Sequence, residues 1–200
     1  MDNLTNSCVE FFEISTLYAE TLAVAHARCF EISWSSKDFY ELLNLPTVFG
    51  FIAHIVKKNS NMSDIFLRTK TNKNSRVVGG FVLCSVARDQ CEILTICVSP
   101  EWRRRGLAIN LMKNVITRAK NIGVREIFLE VAENNKIACN LYINQGFKEF
   151  GRRNRYYRQK KAGRCNPAIQ NYMLLNLLKN SYFTGLFQLN NSIKYYYNGR

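Results

Sequence analysis

No apolar run in this chain reaches the ~18 residues that a membrane-spanning helix needs. The longest candidates, such as 172–178, are short and are interrupted by Asn176. The opening residues, Met1-Asp2-Asn3-Leu4, lack the basic start and apolar stretch of a signal peptide. A cytoplasmic protein with no membrane partner is therefore expected. Cys-x-x-Cys pairs are absent among the seven cysteines at 8, 29, 84, 91, 97, 139 and 165. That removes the ligand spacing of zinc and dithiol sites, so no metal is expected. Most of these cysteines lie in apolar stretches and read as small core residues. G-x-G-x-x-G and G-x-x-x-x-G-K-S/T are missing too, which leaves neither a dinucleotide fold nor a Walker loop supported. Finally, no Asp or Glu follows Glu149.

What is present is an ordinary globular composition. Two hundred residues, 47% hydrophobic and 22% charged, can bury roughly 70% of their unfolded surface. That excludes a disordered, collagen-like or coiled-coil chain. The net charge of +13 is concentrated at one end: the last 51 residues carry ten basic side chains and no acid. The first 149 carry 18 basic and 15 acidic side chains. The basic segment 152–164 is interleaved with Tyr156 and Tyr157. It reads equally as an RNA- or ribosome-contacting block and as a solvated loop.

Hydrophobic periodicity predicts strands over 9–14, 47–56, 77–86, 90–98, 125–131, 147–153 and 168–175. A short strand over 64–68 is also expected, before a polar loop over 69–76. Helices are expected over 16–30, 36–45 and 103–122, with a further helix capped by Asn134 or Asn135. Gly123 and Gly146 suit helix C-termini. This is an α/β (α+β) chain with one mixed sheet. A domain over 1–175 and an extension over 176–200 are expected.

The stretch 98–108, Val-Ser-Pro-Glu-Trp-Arg-Arg-Arg-Gly-Leu-Ala, runs from a strand into a helix. Such a helix start offers backbone N–H groups to phosphate. From these residues alone, an ordinary basic helix start explains the stretch as well. The pattern R-x-x-G-x-A at 103–108, however, resembles the acyl-CoA pyrophosphate loop of the GNAT superfamily of N-acetyltransferases. Leu129-Glu130-Val131, Asn135, Ala138, Leu141-Tyr142 and Gly146-Phe147 resemble the rest of that core. Cys29-Phe30-Glu31-Ile32-Ser33-Trp34-Ser35 is similar to the "CF..PWS" segment of the RimI-like branch. That branch acetylates the N-terminal alanine of small-subunit ribosomal protein number eighteen. The resemblance spans about 8–155. The departures are Ser33 for a proline, Ala108 for a second glycine, and an insertion over 57–76.

The resemblance implies a single GNAT domain with a splayed, mostly antiparallel sheet, and acetyl-CoA as cosubstrate. It implies direct attack of an amine on the thioester. An α-amine, with a pKa near 8, gives up its proton more readily than lysine, at roughly 10.4. Glu130 is then the general base and Tyr142 the acid that protonates the leaving thiolate. Without the resemblance, Glu130 reads as an exposed strand glutamate and Tyr142 as a core aromatic. The backbone of Ile96, Cys97 and Val98 would hold the pantetheine arm and polarise the acetyl carbonyl. Arg103, Arg104, Arg105, Gly106, Leu107, Ala108 and Ile109 would form the pyrophosphate loop, with Asn135 contacting the cosubstrate. Trp34 would line the acceptor groove. Neither His26 nor His54 is given a catalytic role. The expected acceptor is a protein N-terminal amine. A lysine or polyamine acceptor is the alternative, and an RNA- or ribosome-binding protein with a vestigial core is the reading from another class.

Overall fold

The structure is a computed structural model, and it describes residues 7–57, 77–154, 169–177 and 194–196. The strand expected over 64–68, the loop over 69–76, Cys165 and the basic segment from 155 to 164 lie outside the described residues. In chain order the elements are β1 (Ser7–Glu13), α1 (Ala19–Ala27), α2 (Ser36–Leu43), β2 (Val48–Lys57), β3 (Val77–Ala87) and β4 (Gln90–Val98). Then come α3 (Leu107–Asn121), β5 (Glu126–Ala132), α4 (Lys136–Asn144), β6 (Lys148–Asn154), β7 (Ile169–Asn176) and β8 (Lys194–Tyr196).

One sheet holds all eight strands in the order β6-β7-β5-β4-β3-β2-β1-β8. Every neighbouring pair is antiparallel except β4 and β5. A parallel pair needs a crossover, and α3 supplies it. The outermost strand β8, three residues pairing with β1, is not foreseen from the periodicity of the chain.

Apolar side chains on the two faces of the sheet form two cores. On one face Leu111, Met112, Val115 and Ala119 of α3, with Cys139 and Tyr142 of α4, pack against Ile127, Leu129 and Val131 of β5. On the other face Leu22 and Ala25 of α1 and Phe39 of α2 pack against Ile52, Phe81, Leu83 and Cys97. Leu22, Phe39, Phe81 and Leu111 are fully buried, and each such side chain contributes roughly 1.5–3 kcal/mol. α2 begins with a reciprocal cap: the Asp38 N–H donates to Ser35 Oγ, and the Ser35 N–H donates to Asp38 Oδ2.

Two helices are shorter than their periodicity predicts. The expected 16–30 helix opens as a 3-10 turn, Thr16–Tyr18, and its α part ends at Ala27. The N–H groups of Cys29 and Phe30 both close onto the His26 carbonyl. The expected 103–122 helix begins only at Leu107. Pro100 starts a 3-10 turn over Pro100–Trp102, and Gly106 takes the left-handed region at φ 76°. Leu107 is then seated on β3, where a Cβ on Gly79 would come within 2.7 Å of its Cδ2.

Candidate active site

The site grows from the point where β4 and β5 part. Their parallel ladder runs from Gln90 opposite Glu126 to Ile93 opposite Leu129, and stops there. Both strands continue, β4 to Val98 and β5 to Ala132. β4 stays paired to β3 through Val98 opposite Gly80, and β5 stays paired to β7 through Ala132 opposite Gln170. A wedge-shaped gap in the middle of the sheet is the result, edged by two strands whose backbone groups lack each other as partners. Within it, Cys84 pairs with Ile93 but Leu83 with Thr95, so Leu94 is the extra residue of a β-bulge. Bulges re-aim a strand and are concentrated beside functional sites.

Glu130 is the first residue of β5 beyond the ladder. Its neighbours Leu129 and Val131 are buried against α3 and α4, so alternation turns Glu130 to the opposite face. There it lines a recess of about 340 Å³ with Glu92, Phe128 and Phe150. Phe150 is also a bulge residue, lying between the Glu149–Met173 and Gly151–Tyr172 pairs. Its ring meets Phe128 edge-on at 5.8 Å while remaining 54% exposed. The recess thus brings two aromatic rings and two carboxylates together among smaller side chains such as Ser85 and Ala87, a lining suited to a cationic amine.

Tyr142 lies on the other side of β5, in the α3/α4 core, 5% exposed. Its ring is 5.7 Å from that of Phe147. Burial, followed by the neighbouring Cys139, pushes its phenol up to about 12. The hydroxyl therefore keeps its proton at neutral pH. Glu130 and the Tyr142 core thus lie on opposite faces of β5.

At the far end of β4 the chain turns into the Arg-rich loop. Ser99 is buried; its N–H donates to the Gly79 carbonyl and its Oγ to that of Val78. Arg103 Nε donates to the Val98 carbonyl at 3.1 Å. Arg104 is left-handed at φ 63°, and Arg105 stacks its guanidinium 4.7 Å over Trp102. Gly106 is the N-cap of α3 and supplies no side-chain cap. A Cβ built on it would meet nothing within 4 Å. The start of α3 is therefore open and cationic, and its first N–H groups suit a pyrophosphate. Leu107 is buried, Ala108 half-buried and Ile109 exposed. Together the open helix start and the unpaired edge of β4 fit an acyl-CoA: phosphates at one end, an extended amide-bearing arm along the strand.

The other expected site residues are distributed as follows. Ile96 and Val98 lean toward the α3 core, whereas Cys97 is 3% exposed in the α1/α2 core. The gap opens earlier than these three residues, at Leu94. Asn135 caps α4, its Oδ1 accepting the Ala138 N–H at 3.2 Å. Trp34 is half-buried and stacks on His26 at 5.2 Å. Sequence reasoning passed over Glu92, Leu94, Phe128 and Phe150. Alternation along β5 already gave Phe128 the Glu130 face; no local signal marked the two bulges. Among the described residues no cluster of three His, Cys, Asp or Glu side chains is placed to hold a metal, and no helix is long and apolar enough to cross a membrane.

The profile of the acetyltransferase (GNAT) family matches residues 19–147. The ribosomal protein bS18-alanine N-acetyltransferase of Haemophilus influenzae is 30% identical over 110 residues, 55% of this chain and 74% of that protein. Its Salmonella typhimurium counterpart is 32% identical over 130 residues, 65% of this chain and 74% of that protein. Among solved structures, the ribosomal-protein-S18-alanine N-acetyltransferase from Escherichia coli superposes with a TM-score of 0.66 at 21% identity, covering 84% of this chain and 94% of that one. Arabidopsis thaliana NAA60 in complex with acetyl-CoA gives 0.64 at 20% identity, covering 84% and 98%. The structural likenesses carry the fold.

Proposed function

Because this chain belongs to the GNAT acetyltransferase family, and is an acetyl-CoA-dependent N-acetyltransferase, we propose that its acceptor is a protein N-terminal α-amine. The N-terminal alanine of small-subunit ribosomal protein eighteen is the acceptor we assign. The observation that carries this reading is the position of Glu130, one residue past the last β4–β5 pair and on the wall of the aromatic recess. An α-amine arrives partly deprotonated near neutral pH, with a pKa of roughly 8. A carboxylate reached through one water suffices to take its remaining proton. The two relatives at 30% and 32% identity carry that acceptor in their names, which supports the choice over lysine.

Acetyl-CoA, when bound, supplies the acetyl thioester. The chain does the rest. The start of α3 neutralises phosphate charge with backbone N–H groups and Arg104, while Asn135 fixes the approach of α4. The unpaired edge of β4 around the Leu94 bulge offers N–H groups to a carbonyl, the preorganised arrangement that stabilises developing negative charge. Glu130 removes the amine proton from one face of the sheet. Tyr142 holds a proton on the other face and delivers it to the departing sulfur. Trp34 and Phe150 border the acceptor. A ribosomal acceptor sets the reaction in the cytoplasm, and the basic segment 152–164 is the part assigned to contact with the ribosomal particle.

The test is thiol release with a peptide beginning Ala-Arg-Tyr, run beside a blocked-N-terminus peptide carrying an internal lysine. Turnover of the free α-amine alone is expected. Turnover of the lysine peptide alone would overturn the acceptor while leaving the transferase intact.

A further inference from the structure

Two cysteines whose thiols the reaction does not use meet at the hinge between α1 and the acyl-CoA loop. Cys29 follows α1, and Cys97 is the penultimate residue of β4. Their contacts are reciprocal. Cys29 Sγ donates to the carbonyl of Val98, the neighbour of Cys97, at 3.5 Å. Cys97 Sγ donates to the carbonyl of Ala25, one helical turn before Cys29, at 3.5 Å. The two thiols are neighbours, each acting on the other's titration. Cys29 is half-buried, whereas Cys97 is 3% exposed. Arg103 and Arg28 stand on the exposed side, Arg28 being held there by Glu101 at 2.8 Å.

We propose that Cys29 is a redox modification site: hydrogen peroxide oxidises it, and Cys97 captures it as an intramolecular disulfide that weakens acetyl-CoA binding. The chemistry follows from the surroundings. The thiolate is the reactive form, and nearby cations favour it. The neighbouring Cys97 thiol, and after it the Arg103 and Arg28 guanidiniums, outweigh burial and bring the Cys29 thiol down to about 7. The buried Cys97 thiol moves the opposite way. The exposed member is thus the nucleophile and the buried one the resolving thiol.

The Cys29 sulfur attacks one peroxide oxygen. The O–O bond breaks, the sulfur becomes a sulfenic acid, and the departing hydroxide takes a proton to become water. The Cys97 sulfur, giving up its proton, then attacks the Cys29 sulfur. The S–O bond breaks, the S–S bond forms, and a second water leaves. Two thiols lose two electrons and two protons, and one peroxide becomes two waters.

A second thiol pair supplies an internal comparison. Cys84 and Cys91, on the paired strands β3 and β4, are also neighbours. Both are 0% exposed. Burial drives the Cys84 thiol up, with no cation among the causes. That pair is sealed from solvent, and stays reduced while folded.

The link to the cosubstrate is the Val98 carbonyl, which accepts from both Cys29 Sγ and Arg103 Nε. A disulfide removes the first donor and draws the end of α1 onto β4 beside the loop that runs from Arg103 to Gly106. This coupling rests on the acetyltransferase reading; the disulfide does not.

The experiment treats the full chain, reduced and native, with hydrogen peroxide at neutral pH. Free thiols are then alkylated, and the digest is mapped by mass spectrometry. A Cys29–Cys97 linked peptide, reversed by dithiothreitol, is expected, with Cys84 and Cys91 alkylated only after unfolding. Cys97→Ser should leave Cys29 as a sulfenic acid trapped by dimedone. Calorimetry should give a several-fold weaker acetyl-CoA Kd for the oxidised chain, restored by dithiothreitol. Peroxide should leave the Kd of Cys29→Ser unchanged, since its hydroxyl keeps the donor to Val98. Oxidation of Cys29 without a link to Cys97, or no oxidation of Cys29 at all, overturns the proposal. A linked peptide with an unaltered Kd overturns its coupling to the loop. Failure of the reduced chain to bind acetyl-CoA would instead count against the acetyltransferase reading.

Discussion

The backbone N–H of Trp34 donates to Nδ1 of His26 at 3.2 Å, pinning the loop that follows α1 back onto the helix that precedes it. His26 is 3% exposed and lies between the rings of Phe30, at 4.2 Å, and Trp34, at 5.2 Å. Trp34 is thereby held in place by a neutral imidazole. Burial lowers the pKa of His26 below its ordinary 6.5. The folded state thus binds the proton less tightly than the unfolded chain. The contribution is complete above about pH 6.5 and is lost as pH falls through the folded value. Urea unfolding at about pH 7 and about pH 5 should give lower stability at the acid end. His26→Phe should reduce that difference while costing about 1–3 kcal/mol at neutral pH, because the Trp34 N–H loses its acceptor. An unchanged acid dependence in the variant would remove His26 as its source.

Glu130→Gln keeps shape and removes the carboxylate proposed as the base. We expect kcat to fall by about 10²-fold or more, with little change in melting temperature and in acetyl-CoA Kd. Steady-state kinetics beside calorimetry check it. A variant weakened only in acetyl-CoA binding would reassign Glu130 to the cosubstrate.

Tyr142→Phe deletes one hydroxyl from a buried ring. Turnover should drop by about 10²-fold, with the fold retained by near-UV circular dichroism. The phenol titrates at about 12, so the parent's pH–rate profile should show no alkaline limb from Tyr142 below about pH 10, where tyrosine ordinarily ionises. The raised pKa also means that stability from the neutral phenol is complete below about pH 10 and declines as pH rises through about 12.

Gly106→Ala separates strain from binding. A Cβ there collides with nothing, so the structural cost is the left-handed backbone alone, about 1–2 kcal/mol. The new methyl stands before the open start of α3, where phosphate would approach. Melting should shift by a few degrees while acetyl-CoA affinity falls more than that strain explains. Unaltered affinity would move the phosphates elsewhere.

Phe150→Ala opens one wall of the recess at a position that is 54% exposed, so stability should change little. The KM for the acceptor peptide should rise and that for acetyl-CoA should not. An effect on acetyl-CoA alone would put the acceptor on another face.

Local chemistry by itself determined much of this molecule. Period-two alternation over 125–131 put Glu130 opposite Ile127, Leu129 and Val131, because a strand has only two faces. The helical spacing of Leu111, Met112, Val115 and Ala119 gave the buried face of α3. The left-handed Gly146 follows α4 as expected, and the Phe147 N–H closes onto the Tyr142 carbonyl. The likeness to the RimI-like relatives, too, was carried by residues that stand in the chain. What only the tertiary structure decided is where strands cease to pair. That Ile93 and Leu129 are the last partners depends on two strands joined through a helix of fifteen residues, and no window of sequence contains both. The bulges at Leu94 and Phe150 exist only relative to a neighbouring strand. The meeting of Cys29 with Cys97 spans 68 positions of chain. Pairing, bulging and thiol contact are relations between segments, fixed by how two cores close on one sheet rather than by any residue's own preference.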